Sequence, residues 1–465
     1  MNIILSQGNH NENINGSNSN ETIYGNGGND TINGNYGNDV LVGGTGNDTL
    51  NGGGDNDTYV YNLGDGLDTI TDNAGSNKIV FCEGIAQSNL SFTQIGNNLL
   101  IYLNGDKNQG IVINSFFSSD SYKIGELHFS DNSVFYLSES GLALDQSDRT
   151  DNMTINGTDY DDTITGGSGH DTINAGDDDD VLIGGKGNDT LNGGYGRDTY
   201  IYNLGDGADT ISETRGNDKI KFGTGIVKDD LKFTQEGNDL RIIIKNDVNQ
   251  NILIKSFYNN VNYQVETLVF ADGTTFNLST QGLTLQQTNA DEAIKGTSYN
   301  DIIYGNGGHD TINAGEGNDT LIGGIGNDIL NGGNGDDTYI YNLGDGFDTI
   351  SESGGDDKIV FGEGINQSDL SFEKIGNNLK ISINGDEIKG IQINNQFGSS
   401  SNKVETIEFH DGSTLDISNA NQLIQAMNSF SVSNSASTDT LSNPTEDVSD
   451  MYSLAASQDL TRKAI

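Results

Sequence analysis

Acidic residues at a spacing of nine are the side chains of this sequence whose type and pattern could do chemistry. They fall in three stretches of the 465-residue chain, and the fourteen Asp positions are Asp30, Asp39, Asp48 and Asp57, then Asp162, Asp171, Asp180, Asp189 and Asp198, then Asp301, Asp310, Asp319, Asp328 and Asp337. Carboxylates are oxygen ligands, and Ca²⁺ takes about 6–8 oxygens at ~2.3–2.6 Å. The pattern therefore predicts calcium binding.

Each nonapeptide also predicts the element that positions its Asp. In residues 323–331 the first part is rich in Gly and Asn, which tolerate the positive φ angles of tight turns. The last three residues suffice for a minimal strand, whose central residue Leu330 points inward because side chains alternate along a strand. One nonapeptide thus gives a turn, a short strand and one core residue, and two make one coil of a flattened solenoid.

Stacking of such coils places turn n on turn n+2, so the acids of one calcium site are expected eighteen residues apart. One turn offers an Asp carboxylate and a few carbonyls, which is half a site. The predicted pairs are Asp30/Asp48 and Asp39/Asp57; Asp162/Asp180, Asp171/Asp189 and Asp180/Asp198; Asp301/Asp319, Asp310/Asp328 and Asp319/Asp337. This gives about eight Ca²⁺ ions or more, with Glu12 and Glu21 as weaker additions.

A longer period of about 140 residues divides the chain into three blocks, because a nearly identical sequence segment, such as "DTYIYNLGDGFDTI" from Asp337, ends each run of nonapeptides. We expect calcium rolls over 7–72, 148–213 and 287–352. Segments with the period-two alternation of half-buried strands follow each roll, over 73–147, 214–286 and 353–420. A Ser- and Thr-rich tail over 421–465 completes the chain.

The nonapeptides resemble those of the RTX, or haemolysin-type calcium-binding, family. "GGTGNDTLN" at Gly43, "GGKGNDTLN" at Gly184 and "GGIGNDILN" at Gly323 fit the pattern G-G-x-G-x-D-x-U-x at every fixed position. The resemblance implies an all-β fold, a right-handed parallel β-roll in three blocks, each followed by a β-rich capping segment. Asp55 and Asp178 depart from the pattern by replacing a turn Gly, which puts the geometry of those turns in doubt.

Composition narrows the function classes. With 68 acidic residues against 22 Lys and Arg, the net charge is −46, which disfavours nucleic acid and anionic membranes as partners. Without cations the crowded carboxylates repel one another, so we predict a disordered calcium-free state. The single Cys82 allows no intrachain disulfide, and neither a cleavable N-terminal signal nor a membrane-spanning stretch is recognisable.

The sequence indicates a secreted, extracellular calcium-binding protein with a structural or surface role, and not an enzyme. None of the five histidines forms a zinc set or a catalytic triad, and the repeats begin near residue 7, which leaves no room for a preceding catalytic domain. The tail looks like the uncleaved export signals of RTX proteins, which implies the type I secretion apparatus as a partner. Two alternatives stay open: a repeat-bearing C-terminal part of a larger toxin or exoenzyme, and an adhesin or ice-binding roll, although Val40, Val181 and Ile302 interrupt its threonine series.

Overall fold

Strands make up nearly all the regular structure of this computed structural model, which describes residues 3–6, 8–72, 74–118, 124–137, 139–398 and 403–425. Within these ranges four single-turn 3₁₀ helices occur, at Gln87–Asn89, Lys228–Asp230, Val261–Tyr263 and Gln367–Asp369. Residues 420–425 are α-helical. The rest of the predicted tail lies outside the described residues.

The strands are numbered in chain order. Block one contains β1 Ile3–Ser6, β2 Asn13–Asn15, β3 Glu21–Gly27, β4 Thr31–Tyr36, β5 Val40–Thr45, β6 Thr49–Gly54, β7 Thr58–Tyr61, β8 Leu67–Thr71, β9 Asn77–Phe81, β10 Leu90–Ile95, β11 Asn98–Leu103, β12 Asp106–Ile113, β13 Ile124–His128, β14 Val134–Tyr136 and β15 Ala143–Asp145. Block two contains β16 Thr154–Asn156, β17 Thr163–Gly167, β18 Thr172–Asp177, β19 Val181–Gly185, β20 Thr190–Tyr195, β21 Thr199–Tyr202, β22 Ala208–Ser212, β23 Lys219–Phe222, β24 Leu231–Glu236, β25 Asp239–Ile244, β26 Asp247–Ile254, β27 Thr267–Val269, β28 Thr275–Asn277 and β29 Thr284–Gln286. Block three contains β30 Ala293–Lys295, β31 Ile302–Gly307, β32 Thr311–Glu316, β33 Thr320–Ile325, β34 Ile329–Asn334, β35 Thr338–Tyr341, β36 Phe347–Ser351, β37 Lys358–Phe361, β38 Leu370–Ile375, β39 Asn378–Ile383, β40 Asp386–Ile393, β41 Thr406–Glu408 and β42 Thr414–Asp416.

Alternate strands of each roll lie in opposite parallel sheets, as expected of a solenoid with two nonapeptides per coil. In the first roll β1, β3, β5, β7 and β9 form one sheet, and β2, β4, β6 and β8 form the other. Residues eighteen apart face one another, as Ile32 faces Leu50 across β4 and β6. The predicted parallel β-solenoid is therefore confirmed, with about 19 turns.

The core is a thin double column of the apolar residues that follow each Asp by two positions. Leu330 is 2% exposed, and its neighbours on the same sheet, Ile312 and Ile350, are fully buried. In the last nonapeptide of each roll a tyrosine (Tyr59, Tyr200 or Tyr339) takes this position and is about 1% exposed. One apolar side chain per strand gives little hydrophobic stabilisation for so long a chain, so other interactions must hold the coils together.

The chain divides into two compact units, of which the first comprises residues 1–232 and 238–279. There, one sheet of the first roll ends in the antiparallel strand β14 beyond β13. The opposite sheet continues through the antiparallel strands β12, β11 and β10 to β15, β17 and the second roll. The first β-rich segment therefore ends only one of the two sheets of its roll. In the other sheet its strands pair with the first roll on one side and with the second roll on the other.

The second unit comprises residues 233–237 and 280–465, and its described part repeats the same design. One sheet has the order β24-β29-β31-β33-β35-β37-β41-β42, and the other has the order β30-β32-β34-β36-β40-β39-β38. A stacked aromatic pair, Phe361 at the end of β37 and Phe409 just after β41, has a centroid separation of 6.0 Å and packs these two paired strands together. Phe81 with Phe129 and Phe222 with Phe270 are the equivalent pairs of the first unit.

Candidate metal centre

The fourteen Asp residues predicted as calcium ligands line the turns as buried ladders. Each is at most 2% exposed. All eight predicted pairs are joined in one way: the backbone N–H of the earlier Asp donates to Oδ1 of the Asp eighteen residues later, at 2.7–2.9 Å. The nine-residue spacing therefore brings the expected acids together, and one carboxylate oxygen of each later Asp is already used.

The second carboxylate oxygen is the unusual feature of these turns. Oδ2 is buried without a hydrogen-bond partner in twelve of the fourteen, namely Asp30, Asp39, Asp48, Asp57, Asp171, Asp180, Asp189, Asp198, Asp310, Asp319, Asp328 and Asp337. A buried polar atom left unsatisfied costs ~1–3 kcal/mol, and more when it is charged. A ladder of such oxygens is therefore stable only if another group, such as a cation, satisfies them.

Carbonyl oxygens face the same space as these free carboxylate oxygens. A Cβ atom added to Gly25 would collide with Asp30 Oδ2 of its own turn and with the carbonyl oxygen of Gly43 in the next coil. Gly305 is bounded in the same way by Asp310 Oδ2 and the Gly323 carbonyl. Carboxylate and carbonyl oxygens without nitrogen or sulfur ligands are the donor set that Ca²⁺ prefers. The residues present thus fit calcium.

The pKa values of the ladder show what the carboxylates experience without a cation. Burial, and then the charge of neighbouring Asp residues, raises the pKa of Asp48 to about 6, of Asp319 to about 7 and of Asp180 to about 8. Hydrogen bonds from the backbone oppose these shifts only in part. Near neutral pH the protein alone therefore disfavours full ionisation, and a bound cation would reverse that preference.

Asp162 and Asp301, the first Asp of the second and third rolls, differ from the other twelve. Oδ2 of Asp162 accepts a hydrogen bond from the Thr158 N–H at 2.5 Å, and its Oδ1 accepts one from the Leu142 N–H at 2.5 Å. Thr297 and Leu283 hold Asp301 in the same way. Both oxygens of these two acids are used by the chain itself. A signal for this difference was present in the sequence, since Thr stands four residues before each of these two acids.

The Glu residues in register differ from one another. Glu21 accepts hydrogen bonds from Ser17, whereas Glu292 accepts one from the hydroxyl group of Thr288 through Oε1 and keeps a buried Oε2 without a partner. The two turns with an unusual Asp keep the positive φ of the Gly turns, because Asp55 and Asp178 adopt φ angles of 74° and 72°. The equivalent Gly46 and Gly187 adopt 141° and 143°, so the Asp turns share the sign of φ but not its value.

Sequence reasoning missed the acids that extend each ladder beyond the nonapeptides. Asp48 N–H donates to Asp68 Oδ1 at 2.9 Å, twenty residues on, and Asp57 N–H donates to Asn77 Oδ1 at 2.8 Å. The equivalent acceptors are Asp209 and Asp218 in the second roll and Asp348 and Asp357 in the third. Two extra residues in the "NLGDG" turn break the spacing of nine. The repetition of "GDGxDTI" in all three blocks was the available signal.

Histidines 170 and 309 lie at the exposed surface. Each presents Nδ1 to the backbone N–H eighteen residues later, and the distance from Asn188 N to His170 Nδ1 is 2.7 Å. Asn residues form the same contact at the equivalent position of other turns, for example Asn29 with Asn47 N–H. These histidines therefore belong to a structural ladder on the outside of the turns.

Comparison with known proteins agrees with this geometry. The family model of the RTX calcium-binding nonapeptide repeat matches residues 7–35, 33–67, 154–182, 174–211, 288–321, 307–339 and 314–348. The haemolysin-type calcium binding protein related domain matches residues 239–280 and 378–419. These matches cover all three rolls and parts of the second and third β-rich segments.

Two individual proteins are similar over part of their length. The iron-regulated protein FrpA of Neisseria meningitidis serogroup C is 33% identical over 97 residues, which is 19% of this chain and 9% of that protein. The extracellular lipase LipA from Serratia marcescens is 18% identical over 51% of this chain and 36% of the lipase, with a TM-score of 0.20. The part of the chain that matches FrpA spans less than a tenth of the length of FrpA.

The family follows from the repeats. Their ladders present buried oxygens that suit calcium, and the two matching family descriptions both name calcium binding. Among the described residues, no helix is both long and apolar enough to cross a membrane. The chain belongs to the RTX family of haemolysin-type calcium-binding repeat proteins.

Proposed function

We propose that this protein is exported unfolded and folds outside the cell when Ca²⁺ fills the turns of its three rolls. The observation that supports this most is the ladder of twelve buried Asp Oδ2 atoms without hydrogen-bond partners. The net charge of −46 adds to it, because the unfolded chain keeps its carboxylates apart until cations arrive. Its role outside the cell would be structural or at the cell surface.

Calcium would be held by the Asp carboxylates together with the carbonyl oxygens of the Gly-rich turns. The ion supplies positive charge that offsets the repulsion along each ladder, and each shared Asp couples one site to the next. We expect about eight sites, the number of predicted pairs. Asp162 and Asp301 would form the weaker ones, because Ca²⁺ must compete with the hydrogen bonds from Thr158 and Thr297.

Export would be directed by the tail, residues 421–465, through a type I apparatus. A chain of this kind stays unfolded where calcium is scarce and folds where it reaches ~10⁻⁴–10⁻³ M, the range in which extracellular calcium modules operate. The test is co-expression with a type I exporter and measurement of the protein in the medium. Deletion of residues 426–465 should abolish export while calcium-induced folding of the purified protein persists. Export of the deleted chain at the normal level would refute the assignment of the tail.

A repeat-bearing part of a larger toxin or exoenzyme is the alternative, and the match to FrpA favours it, because that protein is far longer than the matched segment. The size of the native product decides between the two proposals. An antibody raised against the third roll should detect a secreted product of about 49.5 kDa. A much larger native product carrying the same repeats would support the alternative instead.

A regular row of threonines gives the ice-binding or adhesin proposal more support than the sequence suggested. Thr154, Thr172, Thr190 and Thr210 face one another in register along a single sheet. Val181, which interrupts the series in sequence, lies on the opposite sheet. Thermal hysteresis measured on the calcium-loaded protein tests this proposal. Hysteresis that disappears in Thr190→Lys but persists in Thr163→Lys, at an exposed position of the opposite sheet, would support it, and its absence in the wild type would end it.

A further inference from the structure

Two clusters of three buried carboxylates lie where the second and third rolls end, beyond the nonapeptide pairs. One consists of Asp198, Glu213 and Asp218, and the other of Asp337, Glu352 and Asp357. In each cluster one carboxylate oxygen from every residue lies within 4.8 Å of the others. We call them the terminal triads.

The carboxylates of the first terminal triad are buried and largely without partners. Asp198 and Asp218 are fully buried, and Glu213 is 6% exposed. Oδ2 of Asp198, Oδ2 of Asp218 and Oε2 of Glu213 have no hydrogen-bond partner. In the second triad Asp337 and Asp357 are each 1% exposed, and their Oδ2 atoms are likewise without partners. Three carboxylates converging in a buried space are strongly unfavourable unless a cation or protons satisfy them.

The other oxygens of the first triad are fixed by the surrounding chain. The Tyr200 hydroxyl group donates to Glu213 Oε1, and the Asp198 N–H donates to Asp218 Oδ1 at 2.8 Å. The Asp218 N–H in turn donates to Glu266 Oε2 of the β-rich segment at 2.5 Å. Tyr339 and Glu405 make the equivalent contacts in the third roll. Ligand atoms held in this way lose little entropy when they bind an ion, which favours affinity.

The first roll provides a natural contrast. Its equivalent residues are Asp57, Asp72 and Asn77. Nδ2 of Asn77 donates to the Ala74 carbonyl oxygen at 3.2 Å, so an amide donor stands where the other rolls have a carboxylate. The residue that accepts the tyrosine hydroxyl group is Asp72, which is one methylene shorter than Glu213. This roll therefore has two carboxylates in place of three.

We propose that each terminal triad is a calcium site of its own kind, which binds one Ca²⁺ more tightly than the turn sites and fills before them. Its oxygen-only donors exclude metals that require nitrogen or sulfur ligands. Mg²⁺ is disfavoured because it keeps several waters, for which a buried triad has little room. Three carboxylates give the triad a higher ligand charge than a turn, and calcium affinity rises with ligand charge and rigidity. The proposal rests on the proposed function only through Asp198 and Asp337, which also belong to the turn ladders.

The test is a calcium titration of the stripped full-length chain by calorimetry. The wild type should bind two ions in its tightest class, one for each triad. Glu213→Gln combined with Glu352→Gln should weaken these two ions at least about tenfold while the turn sites persist. Asp72→Asn, in the first roll, is the matched control and should leave the tight class unchanged. Two tight ions retained in the double Gln variant would overturn the proposal, because Gln mimics a protonated Glu and the triads would then be clusters that share protons.

A gain-of-function variant keeps the test decisive if the loss variant folds poorly. Asn77→Asp combined with Asp72→Glu rebuilds the triad in the first roll, and it should raise the number of tight ions from two to three. An unchanged number would overturn the proposal. Failure of the proposed function would look different, because the wild-type chain would then bind almost no calcium in either class at millimolar concentration.

Discussion

Replacing Asp319 with Asn should change stability in opposite directions with and without calcium. Asp319 is 1% exposed, belongs to two predicted pairs, and has a pKa raised from 3.8 to about 7 by burial and then by Asp301 and Asp337. The side chain of Asn keeps the shape and one oxygen acceptor but removes the charge. Without calcium this relieves repulsion, whereas with calcium it removes a ligand that two sites share.

The magnitudes follow from the pKa and from binding arithmetic. A folded-state pKa of about 7 in place of 3.8 lowers the free energy of unfolding by ~4 kcal/mol above pH 7. We take half of this, ~2 kcal/mol, because solvent near the turn screens the charge. If the Ca²⁺ affinity of each of the two sites falls about a hundredfold, the free energy of unfolding in saturating calcium falls by ~5 kcal/mol. In saturating calcium the third roll should therefore be destabilised by a net ~3 kcal/mol, and in chelator it should be stabilised by ~2 kcal/mol.

Hydrogen exchange read out by mass spectrometry is the suitable assay, because it gives the opening free energy of each roll separately. In calcium, peptides covering β31–β35 should exchange faster in the variant, while those of the second roll serve as an internal reference. In chelator the comparison is made at pH 6, where the apo roll is expected to be partly folded and where the expected stabilisation falls to ~1.5 kcal/mol, because the folded-state pKa of about 7 lies above this pH. Glu316→Gln is the matched control, since it removes one exposed charge from the same coil and should change stability by less than ~0.5 kcal/mol. Equal destabilisation by Asp319→Asn in both conditions would refute the reasoning, because Asp319 would then act only as a hydrogen-bond acceptor.

The same physical picture gives further predictions. Acid should partly replace calcium: the folded-state pKa values of Asp48, Asp57 and Asp180 are raised from 3.8 to about 6, 7 and 8, so the folded state binds protons more tightly than the unfolded state. In chelator the stability is therefore present at low pH and lost as the pH rises through about 6–8, and circular dichroism should show strand content increasing on acidification from pH 8 to pH 5. Strand content in chelator that does not change with pH would contradict this prediction. Gly326→Ala should destabilise the third roll by more than ~2 kcal/mol, because Gly326 has a φ of 157° and an added Cβ would collide with the Gly308 carbonyl oxygen. Gly307→Ala in the neighbouring coil, where the nearest atom to an added Cβ is at 3.4 Å, is the control for thermal unfolding in calcium, and equal melting temperatures would argue against the close stacking of turns. Tyr339→Phe should cost ~1–3 kcal/mol in urea unfolding, since the Gly332 N–H at 2.8 Å loses its buried acceptor, and a cost near zero would mean that water replaces the hydroxyl group.

The repeat and its register were predictable from the sequence, because Asp, Gly and an apolar residue each recur at a fixed place. The pairing of Asp319 with Asp337 and the burial of Leu330 follow from that periodicity alone. What periodicity cannot show is where its own rule is broken. Asp68 and Asp218 extend the ladders at a spacing of twenty, and Thr158 saturates Asp162 through hydrogen bonds that depend on the local turn.

The β-rich segments were predicted as strands, but their role as the link between the two rolls of the first unit was not. Residues 98–113 form the local antiparallel pair β11 and β12, but β12 also pairs in parallel with β8, which lies far away in the chain. Alternation of apolar residues does not identify such a distant partner. Gln94 illustrates the difficulty: it is 3% exposed, and its Oε1 accepts from the Asn156 N–H at 2.7 Å at the start of the second roll. No local pattern marks that residue as important.

Calcium titration of the purified chain, followed by circular dichroism with the stoichiometry from calorimetry, tests the central claim most directly. The free Oδ2 atoms of the ladders predict a transition from disordered chain to strands, steep in calcium concentration, with about eight or more ions bound. A chain with the same strand content in chelator and in millimolar calcium, and with few ions bound, would contradict it. The acidic ladders would then be a structural feature of the solenoid without a role in calcium-dependent folding.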